Sequence, residues 1–248
     1  MRAAVKGVKV AAPLLATLAV LAEPVAARSV AADPRALYGA ELVFDIYRED
    51  RPVGQHRARF RAIDGGVEVR STTAITLKAL FFTVYRFDYD SLAEWRAGAL
   101  SKLTVAVDDN GDRRAITVAP AGDGLRLTVD AETPRAVPRP LFPTNHWNAA
   151  VLGEGRVLNT LTGALNDVRI RAGARAEVVT ENGVVAATRY DYTGDLRTSV
   201  WYDDRGRWVA MRFLGRDGVP VEYRCRRCQG GAPAQCSGPV LRPSDPAQ

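Results

Sequence analysis

The stretch Gln55-His56-Arg57-Ala58-Arg59-Phe60-Arg61-Ala62 decides the fold. Gln55, Arg57, Arg59 and Arg61 fall on one parity, and His56, Ala58, Phe60 and Ala62 on the other. Side chains along a strand alternate between faces, so this pattern describes a strand with one wet face and one buried face. Before it, Leu42, Phe44 and Ile46 alternate with Val43, Asp45 and Tyr47. Arg48 to Gly54, containing Pro52, reads as the hairpin loop between the two.

The same text continues in both directions. Val67 to Leu77 is strand-like, and Phe81 to Asp90 is unusually aromatic, with Phe81, Tyr85, Phe87 and Tyr89 on one face and Phe82 and Val84 on the other. Trp95 follows in a further short strand. Leu100–Val107, Arg113–Ala119 and Leu125–Ala131 come next, and Leu165–Ala172 through Val219–Tyr223 resume the pattern after a break. Asp64-Gly65, Asn110-Gly111, Asp123-Gly124, Asn182-Gly183, Arg205-Gly206 and Asp217-Gly218 punctuate the runs with residues suited to the positive φ of tight hairpins. The expected fold is all-β, an antiparallel meander of roughly a dozen strands. So many twisted strands curl into an open or closed barrel or clam, or split into packed sheets.

The break is specific. Pro134, Pro138, Pro140 and Pro143 exclude a helix or central strand. Thr144-Asn145-His146-Trp147-Asn148 then opens a stretch, residues 144–152, able to form one or two short helices, with Thr144 or Asn145 as N-cap.

The chain has 248 residues, an ordinary globular composition and a formal net charge of +6. Arg2, Lys6 and Lys9 precede an apolar run from Val10 to Leu21, and small residues follow at Val25-Ala26-Ala27. That is the layout of a signal peptide cleaved near Ala27, which implies a periplasmic protein. Residues 28–37 read as a flexible leader, 38–224 as a single β domain, and 225–248 as a Pro/Gly-rich disordered tail carrying Cys225, Cys228 and Cys236. Arg dominates the cations with Asp and Glu interspersed, which gives no nucleic-acid signature. No transmembrane segment is expected after signal removal.

Candidate chemistry is sparse. Cys225-Arg226-Arg227-Cys228 has the spacing of a redox pair whose arginines would lower a thiol pKa, but a local disulfide to Cys236 is the default expectation. Asp88 and Asp90 share a face with Arg86 and read as solvated ion pairs. No nucleophile elbow, metal set or cofactor motif is present, so no catalytic residue, metal or cofactor is assigned and a non-enzyme is favoured. His146 is the one residue on which a hydrolase could be built, with Asp or Asn support. The leading expectation is a binding or carrier protein for an apolar, lipid-like ligand. Phe81, Tyr85, Phe87 and Trp95 would line its pocket, with Asn145, His146, Trp147 and Asn148 at the mouth. An envelope assembly or scaffold protein acting through protein contacts is the alternative.

The ordered motifs Phe-Asp-x-Tyr (Phe44 to Tyr47), Phe-Phe-Thr-x-Tyr-Arg (Phe81 to Arg86), Thr-Asn-His-Trp-Asn (Thr144 to Asn148), Leu-Asn-Thr-x-Thr-Gly (Leu158 to Gly163) and Trp-Tyr-Asp-Asp (Trp201 to Asp204) carry a resemblance. Over residues 40–224 the chain resembles a family of exported, β-rich bacterial envelope proteins, a domain of unknown function. The resemblance implies the β fold and an envelope location, and no activity. A remoter architectural likeness is to half-barrels that ferry lipoproteins or lipids across the periplasm.

Overall fold

The computed structural model describes residues 33–230. The expected signal peptide and the segment holding Cys236 lie outside the described residues.

Fourteen strands form one sheet, with every neighbouring pair antiparallel. In chain order the first eight are β1 (Glu41–Arg48), β2 (Arg51–Ile63), β3 (Gly66–Ala79), β4 (Phe82–Arg96), β5 (Ala99–Asp109), β6 (Asp112–Ala121), β7 (Gly124–Val129) and β8 (Arg135–Val137). The rest are β9 (Arg156–Leu158), β10 (Leu165–Thr180), β11 (Gly183–Gly194), β12 (Thr198–Asp203), β13 (Trp208–Leu214) and β14 (Pro220–Arg227). The sheet order is β8-β7-β6-β5-β4-β3-β2-β1-β14-β13-β12-β11-β10-β9. Two meanders are therefore joined where β1 pairs with β14, from Val43↔Arg227 to Arg48↔Val221.

The proline-rich break links the two edges of the sheet. Edge strands expose unpaired backbone groups, and both edges here are only three residues long. The sheet curls without closing. Its edge regions meet through a side chain, Arg135 donating to the Gly163 carbonyl at 2.6 Å. Residues 138–155 contribute to the interior, where Leu141, Phe142, Trp147 and Val151 are buried. Trp147 meets Trp95 at 5.2 Å and Phe60 at 5.8 Å between ring centroids. The break is thus a plug.

Several boundaries differ from expectation. The β1–β2 connection is a two-residue turn, Glu49-Asp50, with both φ positive; a register shift after Ile46 accommodates Pro52 opposite Tyr47. Trp95 belongs to the same strand as the aromatic run, because β4 passes from Phe82 to Arg96. At the β6–β7 hairpin the positive φ falls on Gly122, with Gly124 opening the next strand. The short helix of the break is a 3-10 turn, Ala149–Gly153, capped by Asn148. Thr144 pairs with Thr160 and Asn145 with Tyr89 instead, so neither is free to cap.

The supposed leader contains a helix, α1 (Pro34–Tyr38), with Asp33 accepting from Arg35 N. Tyr38 explains why this segment is ordered. Its hydroxyl donates to the Trp147 carbonyl and accepts from Trp208 N, each at 2.8 Å, in the buried core. One oxygen ties α1, plug and β13 together. Tyr38→Phe strands a buried carbonyl and a buried N–H, and is expected to cost about 2 kcal/mol. The check is a lower urea midpoint with an unchanged slope.

Candidate functional site

The strongest candidate surface grows from strand lengths. The β2 ladder follows β3 only to Ile75, and the β5 ladder begins on β4 only at Phe87. Residues 76–86 therefore project past both neighbours as a two-stranded arm. A register shift at Leu77/Lys78 leads to the turn, where Leu80 has φ 54°. Nothing covers the tip among the described residues: Leu80, Phe81, Phe82 and Val84 are 90%, 95%, 73% and 56% exposed. Contiguous exposed apolar groups of this size mark interaction sites.

Cations flank the tip. Lys78 is exposed and makes no ion pair among the described residues, while Arg86 pairs with Asp88 at 2.5 Å. The base of the arm is anchored. Tyr85 donates to Asp109 at 2.8 Å, and Asp109 receives Arg216 at 2.7 Å. Partial burial, then the Asp109 carboxylate, pushes the Tyr85 hydroxyl up to about 12, so it stays a donor at neutral pH.

The residues expected to line one pocket are divided. Phe81 is at the tip and Tyr85 half-buried at the arm's base. Phe87 and Trp95 point inward with Tyr89, in a packed core. Phe81 and Trp95 stand on the order of 45 Å apart along β4. Parity holds from Phe87 to Trp95, but it fails at Phe81 because that residue is in the turn.

Asn145, His146, Trp147 and Asn148 are all buried in the plug. Asn145 accepts from Tyr89 at 3.0 Å, and the His146 carbonyl from Tyr202 at 2.6 Å. Trp147 does meet Trp95, at the floor of a cleft of about 220 Å³ also bordered by Asp33, Arg35 and Ala97. Ligand pockets span roughly 300–1,000 Å³, so this cleft is small for one.

His146 is held at φ 36°, with its ring against Tyr192 and Trp208 and Nδ1 without a partner. Burial pushes its pKa down to about 4. The imidazole is neutral at pH 7, yet no carboxylate or Asn hydrogen-bonds its ring among the described residues. A base needs an orienting partner and reach to substrate. Asp88 and Asp90 are taken up by Arg86 and Arg70.

At the opposite end from the arm, Cys225 and Cys228 are joined in a disulfide, which corrects the default of a bridge to Cys236. Cys225 lies within β14, so the folded domain extends past residue 224. Glu181, on the β10–β11 turn, lies beside both sulfurs. No local sequence pattern distinguishes Glu181. Leu80 and Lys78 of the arm carry no site assignment from sequence, and Phe82 and Val84 only a place on the second face of the aromatic run. Their signal was present: Leu80-Phe81-Phe82 is a consecutive apolar run where a polar turn belongs.

Fold and surface together define a β-barrel-like protein with a filled interior and an apolar arm. Residues 44–226 match DUF6134, a domain of unknown function, and the chain belongs to that family. It is similar in fold to a β-barrel-like protein of the domain of unknown function DUF1849 from Brucella abortus, with a TM-score of 0.52 at 9% identity, covering 76% of this chain and 96% of that one. No curated protein matches the sequence.

Proposed function

We propose that this is a non-enzymatic periplasmic protein that docks on an anionic lipid surface through the β3–β4 arm. The observation that carries the reading is the exposed tip, Leu80, Phe81 and Phe82, flanked by Lys78 and Arg86. Burying a large apolar side chain contributes about 1.5–3 kcal/mol, and a cation near an anionic bilayer about 1 kcal/mol. A tip of this size supports reversible association, comparable with a single acyl chain. The lysine stem can lie along the apolar layer while its ammonium stays at the headgroups.

The partner is apolar and lipid-like, and its contact lies outside the filled interior. Trp95, Trp147, Trp208 and Phe44 fill the interior, and the cleft beside Trp95 and Trp147 holds only about 220 Å³. The N-terminal sequence supports export, and the Cys225–Cys228 disulfide suits an oxidising compartment.

Flotation of the purified protein with vesicles tests the reading. Binding is expected to phosphatidylcholine vesicles containing about a third phosphatidylglycerol, in the low-micromolar to millimolar range for an anchor of this size. Phe81→Ser/Phe82→Ser should weaken it at least tenfold, and Lys78→Glu should weaken it with reduced salt dependence. Leu214→Ser, on an exposed residue of the β13 end, is the control. Unchanged binding by the double variant, equal binding to neutral vesicles, or arm-dependent capture of a protein without vesicle binding would each overturn the reading.

A further inference from the structure

Cys225 and Cys228 differ in access: Cys225 is half-buried, whereas Cys228 is fully buried. Glu181 approaches them from the β10–β11 turn. Its Oε1 accepts the N–H groups of Cys228 and Gln229, each at 2.9 Å. Its Oε2 lies 3.0 Å from Cys225 Sγ and 3.7 Å from Cys228 Sγ. A disulfide sulfur has no proton, so Oε2 accepts nothing from it in the oxidised state. It stands where a thiol made by reduction would donate.

The intervening arginines do not serve the sulfurs. Arg226 pairs with Asp45 at 3.4 Å and Arg227 with Glu41 at 3.1 Å, both on β1. The expected lowering of a thiol pKa by these cations is therefore replaced by the opposite influence. The charged group closest to the sulfurs is a carboxylate, which disfavours a thiolate.

The geometry points to a thiol–disulfide exchange site at Cys225–Cys228, with Glu181 as its positioning residue and a protein dithiol as its co-reactant. A thiolate of the partner dithiol attacks the accessible Cys225 Sγ. The Cys225–Cys228 bond breaks, a mixed disulfide forms, and Cys228 leaves as a thiolate that takes up a proton. The partner's second thiol loses its proton and attacks its own sulfur in the mixed disulfide. Cys225 leaves, is protonated and donates to Glu181 Oε2. The partner is oxidised by two electrons to a disulfide, and this chain holds two thiols. The site is independent of lipid docking, at the other end of the strands.

Glu181 sets the rate. Its charge, about 3 Å from the sulfur in a water-like dielectric, opposes both the incoming and the departing thiolate by about tenfold.

The test uses the full chain carrying Cys236→Ser, so that the thiols counted belong to this pair. The folded protein is treated with dithiothreitol and, separately, with a reduced thioredoxin-type dithiol. Thiols are trapped by alkylation and counted by mass, while circular dichroism follows the β signal. Two thiols are expected to appear with the β signal retained. Glu181→Gln should open about tenfold faster, and its thiolate absorbance should appear at lower pH. Glu181→Asp, which keeps the charge, should open at a rate closer to the parent. Thiols that appear only on unfolding would make the pair a structural staple and overturn the assignment. Equal rates and equal thiolate titrations for parent and Glu181→Gln would overturn the role of Glu181.

Discussion

Lowering the pH from 7 to 4.5 is expected to destabilise this protein by on the order of 5 kcal/mol, through two buried imidazoles. His56 is pushed down to about 3, by burial first and then by the His146 charge. His146 is pushed down to about 4 by burial. His56 faces the Thr73 hydroxyl at 2.8 Å and the rings of Phe44, Trp208 and Tyr223. His146 faces Tyr192 and Trp208. No carboxylate pairs with either ring among the described residues, so protonation inside the fold gains no partner. Unfolded histidine binds its proton near pH 6.5. Below that value the unfolded state holds more protons than the folded state, and stability falls with pH. The contribution is complete above about pH 6.5 and is lost as pH drops toward the folded values. Each histidine adds a slope approaching about 1.4 kcal/mol per pH unit. Urea midpoints measured between pH 7.5 and 4.5 check this. A flat profile down to pH 5 would refute it, and His146→Gln should remove about half of the slope if the variant folds.

Asp203→Ala is expected to cost about 3–5 kcal/mol. Asp203 and Arg207 form a buried pair in the β12–β13 turn, with side chains 5% and 11% exposed and a 2.6 Å contact. The Asp203 carboxylate also accepts Arg205 N and Arg207 N, at 3.0 and 2.9 Å. Arg207 reaches on to the Gln229 carbonyl at 2.7 Å. Alanine would leave a buried guanidinium without its anion and two turn N–H groups without an acceptor. Asp203→Asn should cost less, since it retains an acceptor for the turn while losing the charge. A fall in melting temperature on the order of 10 °C for the alanine variant is the readout. A change under about 1 kcal/mol would mean that water replaces the carboxylate. The Asp-Asp-Arg-Gly text was legible as a turn. Its burial was not, because that depends on the segment around Gln229, just after β14, arriving from another part of the sheet.

The aromatic residues show where local reading stops. His56, Ala58 and Phe60 are buried as their parity requires, while Arg59 and Arg61 are exposed. Phe87, Tyr89 and Trp95 obey the same rule. Phe81 looks equivalent in sequence and is almost fully exposed, because it lies in the turn of an arm that outruns the neighbouring strands and nothing covers it among the described residues. Strand length relative to a partner is a property of the pair. It cannot be read from either strand alone.

By itself the sequence determined the all-β class, the faces of the strands and most turn positions. Those follow from period-two alternation and from the φ preferences of Asn, Asp and Gly, which act over a few residues. The tertiary structure decided that β1 and β14 pair, that the proline-rich break enters the interior with Trp147, and that Glu181 meets Cys225 across a span of 44 residues. These choices depend on how a twisted sheet curls to bring its edge regions together without pairing, and on which side chains then fill the space, so contacts between distant segments settle them.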